Sequence, residues 1–174
     1  LDELDVLIED ASRERLGDVL EEALAARVIE EIPTTVGRYQ FAHALIQEAL
    51  LDELSLNRLV RLHAAVADAL ERLYGDQADD HAPELLRHVL QAESLVGPER
   101  VVHYSLVAGE SALVGHAFDE AEEIFSRALA IKDSSDVTEP EQIDTRSADA
   151  DTAAILSGLG RAQAATLPLY RLRE

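Results

Sequence analysis

The spacing of apolar residues predicts helices along most of this chain. One stripe has steps of three and four residues, which is the period of a single helix face. It runs through Leu56, Leu59, His63, Val66, Leu70 and Leu73. Ser55 comes just before the stripe and is a suitable N-cap, since its hydroxyl can accept from a free backbone N–H. Similar stripes lie on both sides, so the pattern indicates a mostly α fold.

One short region departs from the helical period. Residues 28–32 are rich in β-branched side chains, and residues 38–41 alternate polar and aromatic side chains. Between them, residues 33–37 hold the Pro and Gly of a turn. Two short β runs around such a turn predict a small β-hairpin. The order helix, helix, hairpin, helix, helix in residues 1–75 indicates a winged-helix-like domain whose wing is the hairpin.

The second half, residues 76–174, carries only helical signals after a polar break at Gly75. Pro98 follows Gly97 and suits the first turn of a new helix. Residues 133–150 are acidic and rich in Ser, Asp and Thr, which predicts an exposed acidic loop, with helix near its end as an alternative. The last residues after Pro168 resemble the start of a further helix, so we expect the helical array to be truncated at its C-terminus.

Small and aromatic residues recur in this half with the spacing of a tetratricopeptide (TPR) repeat, a helix–turn–helix unit of about 34 residues. They are Ala108, Gly109, Ala112, Phe118, Ala121, Phe125 and Ala128, and Gly160 is predicted to restart the pattern. Gly and Ala let antiparallel helices approach closely, and bulky rings fill the remaining gap. The sequence therefore predicts antiparallel, TPR-like helical hairpins. A generic helical hairpin is the alternative, because Ala-rich amphipathic helices match a loose pattern.

Charge and composition exclude several functions. The chain has 15 Lys plus Arg against 35 Asp plus Glu, a formal net charge of −20, which argues against direct nucleic-acid binding. It has no Cys, so disulfides, thiolate metal sites and Cys nucleophiles are excluded. No apolar run approaches the roughly 18 residues of a membrane span. Neither a metal-ligand pattern nor a nucleophile elbow is present, so we expect no metal site, no catalytic residue and no enzyme activity.

Three segments carry a family resemblance: YQFAHALIQEAL at 39–50, RLVRLH at 58–63 and ADALE at 67–71. They resemble the region just after the nucleotide-binding domain of bacterial STAND-type ATPases, the signal-transduction ATPases with numerous domains. That family includes multidomain LuxR-type transcriptional regulators and adenylate/guanylate cyclases fused to an ATPase. The resemblance implies a winged helix followed by TPR-like repeats that sense or bind an effector.

The resemblance also implies what this chain does. It is expected to be a non-catalytic regulatory region of a bacterial signal-transduction ATPase, in a transcriptional regulator located in the cytoplasm. The expected partners are the protein's own ATPase domain and a protein or small-molecule effector. The same region of a cyclase and a stand-alone TPR scaffold are the alternatives. The apolar end of an incomplete array also leads us to expect self-association.

Nucleotide binding is expected only in the full-length ATPase to which this region would belong, the parent protein. The chain lacks a Gly-x-x-x-x-Gly-Lys-Ser/Thr loop, so no cofactor is expected here and ATP or ADP is expected in the parent. By the resemblance, His43 would contact the ADP β-phosphate when the ATPase domain is present. The alternative is that His43 only caps or packs its helix.

Overall fold

The computed structural model describes residues 13–34, 37–136 and 145–166. It confirms the mostly helical fold with one antiparallel two-stranded hairpin. The chain divides into two compact units, unit 1 (residues 1–75) and unit 2 (residues 76–174).

Unit 1 contains three helices and the hairpin in its described part. The elements are α1 (Arg13–Ala25), β1 (Ile29–Glu31), β2 (Tyr39–Phe41), α2 (Ala44–Asp52) and α3 (Leu56–Tyr74). The strands pair with Ile29 opposite Phe41 and Glu31 opposite Tyr39. α1 packs on β1 and α2 packs on β2, so the hairpin links the helices before and after it.

Local sequence explains where α3 begins and ends. The Ser55 hydroxyl accepts a hydrogen bond from the backbone N–H of Arg58 at 3.4 Å, as expected of an N-cap. Gly75 follows the helix with a φ of 52°, a backbone conformation that costs glycine little. A glycine at that point therefore allows the chain to leave the helix without strain.

Unit 2 is helical throughout its described part. A 3₁₀ segment (Gly75–His81) leads into α4 (Ala82–Gln91), α5 (Glu93–Val96), α6 (Pro98–Val114), α7 (Phe118–Asp136) and α8 (Thr145–Thr166). Gly97, at a φ of 84°, separates α5 from α6, and Pro98 occupies the first turn of α6. α7 packs against both α6 and α8, and α6 also packs against α4.

The prediction of an acidic loop over residues 133–150 is wrong at its start, and its end is helical, as the sequence allowed. α7 continues to Asp136, and α8 already begins at Thr145. Residues 133–136 contain neither Gly nor Pro, so nothing in them stops the helix after Ile131. The Ser134 hydroxyl bonds the carbonyl of Ala130 at 2.8 Å and so stays within the helix. The other predicted loop residues, 137–144, lie outside the described part of the chain.

In unit 2, Leu85 and Val89 of α4 are fully buried. One apolar core cluster lies between α6, α7 and α8. Its buried members are Val102, Ala121, Phe125, Ala128, Ile155 and Ala162. Unit 1 differs, because no apolar side chain in the described part of residues 15–66 is buried. No helix in the described ranges is long and apolar enough to cross a bilayer.

Candidate functional site

The centre of unit 2 is the ring of Phe125, which projects from α7 and is fully buried. Two glycines from neighbouring helices face this ring. A Cβ placed on Gly109 of α6 would lie 2.5 Å from the ring Cζ, and one on Gly158 of α8 would lie 2.4 Å from it. Only a residue without a side chain fits at these distances. We call this arrangement the Phe125 slot, defined by Gly109, Phe125 and Gly158.

Small side chains around the slot let the three helices approach. Ala121 and Ala128 of α7 are fully buried, one turn on either side of Phe125. Ala112 of α6 is partly buried and packs against the same core. Interiors are close-packed, so a larger side chain at these points would push the helices apart.

The same spacing of inward-facing residues occurs in α6 and in α8. In α6 the set is Ser105, Ala108, Gly109 and Ala112; in α8 it is Ile155, Gly158, Leu159 and Ala162. Both sets follow the i, i+3, i+4, i+7 rule of one helix face. α8 thus repeats the buried pattern of α6, with each residue fifty positions further along the chain.

The predicted packing role of Gly160 is wrong. Gly160 is exposed, and a Cβ built on it would meet no atom within 4 Å. Gly158, two residues earlier, faces Phe125 instead. Because a helix turns by about 100° per residue, two residues separate nearly opposite faces. The missed signal is the set Ile155, Gly158, Leu159 and Ala162, which matches the α6 spacing when a shift of 50 rather than 51 is used.

Polar contacts among the described residues connect α8 to its neighbours. Arg161 hydrogen-bonds Glu110 of α6, and Gln163 donates to Glu122 of α7 at 3.0 Å. Nearer the start of α8, the Lys132 ammonium lies 3.4 Å from the Asp151 carboxylate. The hydrogen bond that the Arg161 guanidinium donates to Glu110, together with the negative charge of Glu110, raises the pKa of Arg161 above its ordinary value. These contacts join α8 to α6 and α7 outside the apolar core.

The remaining predicted repeat residue, Phe118, is the first residue of α7 and is half-buried. Its ring packs edge-on against the His116 imidazole, with ring centroids 5.7 Å apart. His116 adopts a φ of 62° in the short α6–α7 link. Phe118 therefore lies at the turn of the helical hairpin, seven residues before Phe125 in the sequence.

His43, the predicted nucleotide contact, lies in unit 1 immediately before α2. Its backbone is extended, and its carbonyl accepts a hydrogen bond from the N–H of Ile46 at 3.0 Å. The imidazole makes no capping hydrogen bond to the helix and is exposed. Capping by the side chain, one of the two alternatives for this residue, is therefore not observed.

Histidines elsewhere in the described residues do not form a metal site. His103 contacts Asp79 through Nε2 at 2.8 Å, and both side chains are more than half exposed. No group of three His, Asp or Glu side chains in the described ranges is arranged to hold a metal ion.

Comparison of the chain with protein-family models, with curated proteins and with solved structures finds no match. What the chain does is therefore inferred from its residues and their geometry.

Proposed function

We propose that this chain is a non-catalytic regulatory and protein-interaction region of a multidomain bacterial signal-transduction ATPase. In this proposal residues 1–75 are a winged-helix-like hinge, and residues 76–174 are TPR-like repeats. The repeats bind a protein or small-molecule effector, and the hinge passes that event to the ATPase domain. The parent is a cytoplasmic transcriptional regulator of the LuxR type.

The observation that carries the proposal is the repeated burial pattern of α6 and α8 around the Phe125 slot. Helix α7 packs against both α6 and α8, and these two helices bury residues at the same spacing. Such repeated packing of helices is typical of a stacked helical array. In such an array, each helical hairpin covers the next one and a concave surface forms along the stack. Concave helical surfaces of this kind bind partners without catalytic groups.

Coupling of the repeats to nucleotide requires two states of the parent protein. An effector changes an equilibrium only by its difference in affinity for the two states. We propose that the effector prefers the ATP-bound, open state and so weakens ADP retention. Reciprocal linkage then requires that ATP tighten effector binding by the same factor.

His43 is the residue through which unit 1 would contact the nucleotide. Its exposed imidazole stands at the start of α2, where backbone N–H groups favour an anion. In the full-length protein, its N–H would donate to the β-phosphate of ADP. This role comes from the resemblance of residues 39–50 to the ATPase family.

The test uses the full-length protein purified with its bound nucleotide. His43→Ala is expected to lower the ADP content and speed ADP release, whereas Gln47→Ala, an exposed change in the same helix, is not. Nucleotide content is measured by chromatography after denaturation. Equal ADP retention in both variants would remove His43 from the proposal. A parent that binds no nucleotide would favour a stand-alone scaffold instead.

A further inference from the structure

Helix α2 of unit 1 exposes three leucines, Leu45, Leu50 and Leu51. None of its nine residues is buried. Leu45 is 76% exposed and Leu51 is 45% exposed. Single exposed leucines are common, but several on one short helix indicate a surface that another molecule covers.

Acidic side chains lie between these leucines. At about 100° per residue, the arc of α2 that runs from Leu51 to Leu45 passes through Glu48 and Asp52. The helix, with the sequence ALIQEALLD, contains no basic residue. We call this arc the α2 face, defined by Leu45, Glu48, Leu51 and Asp52. It presents two carboxylates flanked by two leucines.

We propose that the α2 face docks an amphipathic helix of a partner protein, with Lys or Arg in the middle of its contact stripe and apolar side chains beside them. Cations opposite Glu48 and Asp52 would satisfy the carboxylates, while the apolar flanks would cover Leu45 and Leu51. Helices recognise one another in this way through anchors spaced three and four residues apart. The proposal is independent of the proposed function, since it needs no nucleotide domain.

Charge argues against a second copy of the chain as the occupant. In a twofold-symmetric contact the same patch meets itself, so Glu48 and Asp52 would face the carboxylates of the other copy. The net charge of −20 adds a general repulsion between copies. A basic partner avoids both costs and gains from long-range attraction.

The probe is a fluorescein-labelled peptide of about four helical turns, built from leucine and lysine in amphipathic order. A peptide of the same composition in scrambled order has the same charge but no apolar face. Fluorescence anisotropy with the whole chain measures both affinities. We expect the amphipathic peptide to bind at least about tenfold more tightly than the scrambled one.

Protein variants separate the α2 face from general acidity. Leu45→Gln combined with Leu51→Gln is expected to weaken amphipathic peptide binding at least about tenfold. Val114→Gln, which changes a 79% exposed side chain of unit 2, should have no effect. Glu48→Gln with Asp52→Asn should weaken binding and reduce its dependence on salt. Circular dichroism verifies that each variant is folded.

Three results would overturn the proposal. One is an amphipathic peptide that binds no better than the scrambled peptide, or does not bind. Another is unchanged affinity in the double leucine variant, which would mean that the acidic surface in general attracts the peptide. The third is a free wild-type chain that sediments as a dimer and becomes a monomer in the double leucine variant, because a second copy would then occupy the face.

Discussion

Gly109 and Gly158 differ from most helical glycines in how replacement by alanine should change the stability of the protein. In an exposed helix, replacing Gly with Ala stabilises by up to about 1 kcal/mol. Here an added methyl group would overlap the Phe125 ring from either side. Overpacking of this kind costs typically about 1–3 kcal/mol, so Gly109→Ala and Gly158→Ala should each be destabilising. Urea denaturation followed by circular dichroism measures the change.

Gly160→Ala is the matched control, because this glycine lies in the same helix as Gly158 and has open space around it. The substitution should stabilise by up to about 1 kcal/mol. If Gly158→Ala and Gly160→Ala shift stability in the same direction, the Phe125 slot does not exist as described.

Removing the Phe125 ring is a second test of the Phe125 slot. Phe125→Ala leaves a cavity bounded by two glycines, which have no side chains to fill it. The expected loss is about 3–5 kcal/mol of the free energy of unfolding. The same urea experiment applies, with Phe118→Ala, a half-buried ring at the end of the hairpin, as the milder comparison. A loss below about 1 kcal/mol for Phe125→Ala would mean that the helices close around the missing ring.

At the scale of elements, α8 depends on a narrow apolar face. Ile155 is fully buried, whereas its neighbour Leu156 is half exposed. Ile155→Ala should cost about 2–5 kcal/mol, while Leu156→Ala should cost well under that. Hydrogen exchange resolved along the chain should show faster exchange in α8 than in α6 for the first variant. Equal effects of the two changes would place a different face of α8 against α7.

How far the sequence determines these elements depends on the signal each one carries. The hairpin is predictable because β-branched residues and a Pro–Gly turn stand together at 28–41. The Phe125 environment is predictable from small residues at helical spacing. The ends of α7 and α8 are not, since Ser and Asp near residues 133–136 favour loops only on average and tertiary packing overrides them. The packing position of Gly160 is not predictable either, because Gly158 lies only two residues away and only the contact with Phe125 distinguishes the two glycines.

At the scale of the whole molecule, the two units differ in how much apolar surface they bury. Residues 76–174 contain a core around Phe125, so this fragment should fold alone. In the described part of residues 1–75, Leu70 is the only large apolar side chain that is buried, and a small unit with so little buried surface is marginal. Thermal melts of the separate fragments should show a cooperative transition for 76–174 and a broad, weak one for 1–75. The reverse result would place the stable core in unit 1.

Salt distinguishes two opposing electrostatic effects across the chain. The net charge of −20 destabilises the compact state by self-repulsion, and added NaCl screens it. Salt also weakens attractive pairs, but an exposed pair such as Arg161 with Glu110 contributes little. The pair of Lys132 with Asp151 is part-buried and is screened less. Repulsion should therefore dominate, and the Tm should rise between low and moderate NaCl at neutral pH. Lys132→Gln should lower the Tm, and most at low salt, where the attraction between Lys132 and Asp151 is least screened. A wild-type Tm that falls with salt would mean that the pairs holding α8 outweigh the repulsion of the whole chain.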